Sequence, residues 1–196
     1  PTQTMRDYPA SDQSIPAHYA RAYAWHKSAY PQKALDESDA LLKAEPHDPY
    51  FLELKGQVLL ESGRPADAIP PLREAVRLTG SQPLISTLLG HALIATEDEK
   101  NFAEAEQVLR AAVGKDRENP FAWYQLGVVY ERRGDHARAA LASAERYSMQ
   151  RQHELALRSA QAAMQGIDKD SPDYLRAQDI AMASRAMIEQ SGKKKK

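Results

Sequence analysis

Apolar and small residues recur along the chain at helical spacing, in stretches too short for one long helix. In "PYFLELKGQVLLESGRPADAIPPLREAVRL" (49–78) Leu52, Gly56 and Leu59 share one helical face, and Ala68, Leu72 and Ala75 share another. Gly63 lies between the two faces, where a left-handed residue ends a helix. The pattern predicts two short helices folded back on each other, with small residues at 56 and 68 letting the backbones approach closely. A glycine inside a helix costs about 1 kcal/mol, so Gly56 needs a packing reason.

The same pattern repeats. Gly56, Gly90 and Gly127 are separated by 34 and 37 residues, as are Leu41, Ala75 and Ala112. Pro49, Pro83 and Pro120 keep the same spacing and follow Asp48, Gln82 and Asn119. Asp or Asn before Pro reads as an N-cap followed by a first helical residue with its dihedral already set. Several residue types sharing one period indicate a repeat array, an all-α solenoid of helical hairpins.

The units are placed at 15–48, 49–82, 83–119 and 120–151, the third with an insertion, "ATEDEKNF", in its turn. Pro70 and Pro71 fall where a second helix should run, so that helix is expected to begin late or to kink. Two more helical stretches, within 152–190, read as a degenerate repeat and capping helices that close the array. Residues 1–14 lack a helical period and read as a linker or an arm laid on a neighbour. "SGKKKK" (191–196) reads as a frayed basic tail.

The 34-residue period resembles the tetratricopeptide repeat. "NPFAWYQLGVVYERRGDHARA" carries the resemblance most fully, through Trp123, Leu126, Gly127, Tyr130 and Gly134. In that family a binding groove is lined by fixed positions of each first helix. The resemblance implies Tyr19, Tyr23, His26 and Lys27 in the first unit, and Tyr50, Glu53, Gln57 and Glu61 in the second. It implies Leu84, Thr87 and His91 in the third, and Phe121, Tyr124, Val128, Glu131 and Arg132 in the fourth. The lysine and asparagine clamp by which some relatives hold a C-terminal carboxylate is missing, which disfavours that ligand class.

Composition narrows the function. Over 196 residues the formal net charge is −1, which argues against a nucleic-acid surface, and the lack of cysteine excludes disulfides and thiolate metal sites. The longest weakly polar run, "PLISTLLGHALIAT", is too short to span a membrane. "HELAL" (153–157) has the first histidine and the glutamate of a helical zinc-peptidase motif, but Leu157 stands where the second histidine would be. "DKDSPD" (168–173) lacks the glycine and distal glutamate of a calcium loop and reads as a helix start favouring negative charge. No catalytic residue, cofactor or metal site is expected in this chain.

Three stretches, "YPASDQSIPAHYARAYAWHKS", the 49–78 unit with its double proline, and "SPDYLRAQDI", resemble the C-terminal repeat region of bacterial periplasmic HtpX-like zinc metallopeptidases. The resemblance implies a periplasmic module that docks on its own protease domain and selects envelope protein clients, with zinc held only in the protease domain. It carries over no catalytic residue. The start at Pro1 is expected to mark a processed or excised piece. A free-standing adaptor scaffold is the alternative.

Overall fold

The computed structural model describes residues 1–193, with side chains through Ser191. The described residues contain helices and no strands: α1 Thr2–Asp7, α2 Ile15–Lys27, α3 Pro31–Ala44, α4 Pro49–Glu61, α5 Pro65–Leu78, α6 Pro83–Ala95, a 3-10 turn Glu99–Asn101, α7 Phe102–Lys115, α8 Pro120–Arg132, α9 His136–Met149, α10 His153–Gly166 and α11 Pro172–Lys193. From α2 to α9 the helices alternate between 13 and 14 residues. The chain divides into two compact units, one from Pro1 to Glu97 and one from Asp98 onward.

Proline and a capping side chain set most of the helix starts. Asp48 accepts hydrogen bonds from the Tyr50 and Phe51 amides, Asn119 from those of Phe121 and Ala122, and Gln82 from that of Ile85. A proline follows each cap, where its missing N–H costs nothing.

Left-handed residues end the first helices. Ala29, Gly63, Glu97 and Gly134 have φ of 59°, 78°, 55° and 77°, at separations of 34, 34 and 37. After three of them the next amide reaches back five residues: Tyr30 to the Trp25 carbonyl, Arg64 to Leu59 and Asp135 to Tyr130. This closure satisfies carbonyls that a helix end leaves without donors.

In the first unit α2 pairs with α3 and α4 with α5, while α3 packs on α4 and α5 on α6. Ala34 and Ala68 are fully buried between paired helices, and Leu52, Ala75 and Ile85 form a shared core patch. In the second unit α8 pairs with α9 and α10 with α11, with α7 against α8 and α9 against α10. Leu141, Ala144, Ala156, Ala160, Ala163, Ile167, Ala177 and Ile180 form its apolar cluster. The alanine-rich register after Gly134, ambiguous in sequence, is thereby a hairpin whose helices approach closely. Arg151, with φ of 57°, makes the α9–α10 turn, and the Gln152 amide reaches back to the Tyr147 carbonyl.

Three sequence expectations are corrected. Residues 1–14 are not wholly irregular: Thr2–Asp7 form α1, with Gln3 donating to the Asp7 carboxylate at 2.9 Å one turn on. The segment lies on the chain's own α2 and is held there by Arg21. That guanidinium is buried, grips Glu37 with two bonds of 2.7 and 2.9 Å, and donates to the Pro9 and Asp12 carbonyls at 3.1 and 2.8 Å. Second, α5 does not begin late: it starts at Pro65 and runs on past Pro70 and Pro71 to Leu78. The carbonyls that lose their donors belong to Ala66 and Asp67, both exposed, so water can satisfy them. Third, the expected tail at 191–196 begins as helix, because α11 continues to Lys193; residues 194–196 lie outside the described residues.

Candidate functional site

Helical spacing places Tyr50, Glu53, Gln57 and Glu61 on one face of α4, and Tyr19, Tyr23, His26 and Lys27 on the matching face of α2. Two contacts join the helices that carry these faces: the Tyr19 ring lies 6.2 Å from that of the buried Phe51, and His26 Nε2 lies 3.2 Å from a Glu61 carboxylate oxygen. The first unit therefore gathers its predicted residues from α2 and α4 on one surface. Tyr19, Tyr23 and Tyr50 are 41%, 47% and 58% exposed, and Leu84 on α6 is 63% exposed. Such large side chains left in water on a folded surface are available for a partner.

The polar groups of this face differ in how they are satisfied. Gln57 donates to the Glu61 carboxylate at 2.7 Å, and Lys27 Nζ lies 5.5 Å from the centre of the Tyr23 ring. Burial pushes the His91 imidazole below its usual value, with the Glu61 charge acting the other way. Glu53 is half-buried, and burial alone pushes its carboxyl above the ordinary range.

Thr87 leaves the candidate surface. It is 3% exposed and its hydroxyl donates to the Pro83 carbonyl at 2.8 Å, so it packs within the stack and reaches no partner. A cleft of about 430 Å³ runs between α1 and α2, with Thr4, Asp7 and Tyr8 on one side and Tyr19, Tyr23 and Lys27 on the other. The N-terminal segment thus forms one edge of the face that the sequence pointed to.

In the second unit Phe121 and Tyr124 stack at 6.5 Å on the exposed side of α8. Tyr124 lines a shallow depression of about 240 Å³ with Trp123, Val128, Glu131, Arg132 and Arg146. The Arg146 guanidinium lies 5.3 Å from the Tyr124 ring and 4.9 Å from that of Tyr147. The predicted Tyr124, Glu131 and Arg132 meet here, and Glu131 pairs with His136 at 2.7 Å. Arg146 was missed because it lies on a second helix, outside the first-helix positions that the family resemblance supplies.

A third cluster escaped sequence reasoning. Arg138 joins Asp135 to Asp173 at 2.8 Å each, and Arg176 grips the buried Glu145 carboxylate, tying α11 to α9. These pairs hold the capping helix and are spent on each other. Among the described residues no three His, Asp or Glu side chains converge to hold a metal, and no helix is long and apolar enough to cross a membrane.

The fold matches solved structures closely and their sequences weakly. MamA aligns with a TM-score of 0.62 at 22% identity, covering 88% of this chain and 96% of that one. YrrB, described as a TPR protein with an unusual peptide-binding site, aligns at 0.63 and 22% identity, covering 76% and 75%. TTC0263, a thermophilic TPR protein of Thermus thermophilus, aligns at 0.55 and 20% identity, covering 86% and 100%. A comparison with curated proteins finds no significant match. The tetratricopeptide repeat family model matches residues 31–83 and 89–152, more than half of the chain. With its period, its left-handed turns and that match, this chain belongs to the tetratricopeptide repeat family, whose members serve protein–protein interaction.

Proposed function

We propose that this chain is a non-catalytic recognition module whose units each bind extended protein segments on their first-helix faces. The observation that carries the reading is the exposed aromatic set, Tyr19, Tyr23 and Tyr50 in one unit and Phe121 and Tyr124 in the other. Aromatic anchors dominate binding energy where they are buried by a partner. In the cell the module is the substrate-recognition or regulatory region of a periplasmic HtpX-like zinc metallopeptidase, acting on envelope proteins and docking on its own protease domain. The support is the sequence resemblance, which extends beyond the repeat pattern to the double proline of α5 and the 8–14 arm. Zinc in this reading belongs to the protease domain.

The test has two arms. A reading frame that places a signal peptide and a His-Glu-x-x-His helix ahead of Pro1, with co-purification of that protease domain, supports the protease assignment. A start codon close to Pro1 and no protease bound would remove it. The second reading, a free-standing adaptor scaffold, would then stand. It is favoured by the span of the MamA and TTC0263 chains, which this chain covers almost end to end.

A further inference from the structure

Glu53 is the one acidic group of the first unit's binding face whose charge nothing on that face answers. Glu61, two turns on, receives Gln57 and lies beside His26, whereas no hydrogen bond or ion pair reaches Glu53 among the described residues. Its neighbour in sequence, Lys55, points to the opposite side and pairs with Asp39 at 2.6 Å. Lys27 sits on the Tyr23 ring. Burial raises the carboxyl and no cation pulls it back, so the group loses water without gaining a partner. A carboxylate in that position is stabilised by any cation brought to it.

The surroundings suit a cation as well. Tyr50 stands three residues before Glu53 on the same face of α4, Tyr19 and Tyr23 are exposed on the matching face of α2, and ring faces attract ammonium and guanidinium groups. The Lys27 ammonium over Tyr23 shows that one of these rings already accepts such a group. On the same face the buried His26 Nε2 lies 3.2 Å from the Glu61 carboxylate without an aligned hydrogen bond.

We propose that the first-helix face of the first unit takes a lysine or arginine side chain from an extended peptide, with Glu53 as its counter-charge and Tyr19, Tyr23 and Tyr50 as its walls. This deepens the recognition reading above and rests on it. The partner segment carries an isolated basic residue among uncharged ones, since a run of acidic residues would meet Glu53 and Glu61 with like charge.

The experiment titrates the full chain with a blocked nonapeptide that carries two lysines among glycine, serine and leucine. Its counterparts carry glutamine or glutamate in place of both lysines, and binding is read from tyrosine ring resonances. The expected result is movement of the Tyr19, Tyr23 and Tyr50 signals, with the lysine peptide at least tenfold tighter than the glutamine one. Glu53→Gln lowers the lysine affinity about tenfold, leaves the glutamine peptide unchanged and keeps the helical signal; Asp39→Asn changes neither affinity. Equal binding of the lysine and glutamine peptides at these rings overturns the charge assignment while leaving the recognition face in place. Tighter binding of the glutamate peptide, or no movement at these rings with any of the three, overturns the proposal. Cross-linking from this face in cells tests the recognition reading separately.

Discussion

Leu72 packs so closely on Gly56 that a Cβ at Gly56 would stand 2.4 Å from Leu72 Cγ. Leu72 is fully buried and has nowhere to retreat. Gly56→Leu should therefore destabilise the first unit by about 3 kcal/mol, since an overpacked core must shift side chains and backbone together. Gly127, at the matching place in the fourth repeat, has no such constraint: its added Cβ would meet Ala142 Cβ at an ordinary 3.5 Å. Gly127→Ala should be neutral or stabilising by up to ~1 kcal/mol through helix propensity alone. Thermal melts of the two variants separate these outcomes.

Ala29 holds the left-handed turn that glycine holds at 63 and 134. Ala29→Gly should stabilise the chain by roughly 0.5–1 kcal/mol, because a Cβ is strained at that φ. Gly63→Ala should cost a similar amount. Chemical denaturation of both variants checks the sign, and the same sign in each would remove the turn argument.

The Arg21–Glu37 pair makes attachment of the N-terminal arm depend on pH. Burial pushes the Glu37 carboxyl up, but the hydrogen bonds from Arg21 and His18 outweigh it, leaving the group below its ordinary 4.5. A lowered carboxyl contributes its stability in full above that ordinary value and loses it as pH falls through the lower, folded one. Limited proteolysis should find residues 8–14 protected at neutral pH and cleaved once the solution is acid enough to protonate Glu37. Glu37→Gln should expose them at every pH, costing about 3 kcal/mol for the buried guanidinium left without its carboxylate.

Glu145 is buried, and Arg176 supplies its charge partner from α11. Arg176→Met alone should cost about 3 kcal/mol by stranding the carboxylate, whereas adding Glu145→Leu should restore most of it. Denaturation of the single and double variants measures the difference. Little loss in either would mean that α11 is held by its apolar contacts.

The fold was legible wherever a physical need restricts the residue type. Pro49, Pro83 and Pro120 announce helix starts because proline fits that position, and Gly63 and Gly134 announce helix ends because glycine tolerates the turn. Ala29, Glu97 and Arg151 adopt the same backbone with no such signature, since hydrogen-bond closure at the helix end imposes it on whatever residue is there. Gly166, packed 2.8 Å from Ala137 Cβ when given a Cβ, passed unnoticed because it falls outside the 34-residue register. Thr87 was misplaced for the opposite reason. It keeps the register of Tyr19 and Glu53, yet it is short and apolar enough to be packed inward. The arm's dependence on Arg21 arises from contacts far apart in sequence, which no period reveals.

Placement of a photo-reactive amino acid at single positions tests the central claim most directly, because it asks which face meets other proteins in the cell. Positions 50 and 124 lie on the first-helix faces, and position 77, on α5, is exposed and paired within its own turn to Glu74. Cross-links to a discrete partner from 50 and 124, absent from 77 and lost when Tyr23→Ala accompanies the probe at 50, are the predicted result. Cross-links from 77 with silence at 50 and 124 would contradict the account.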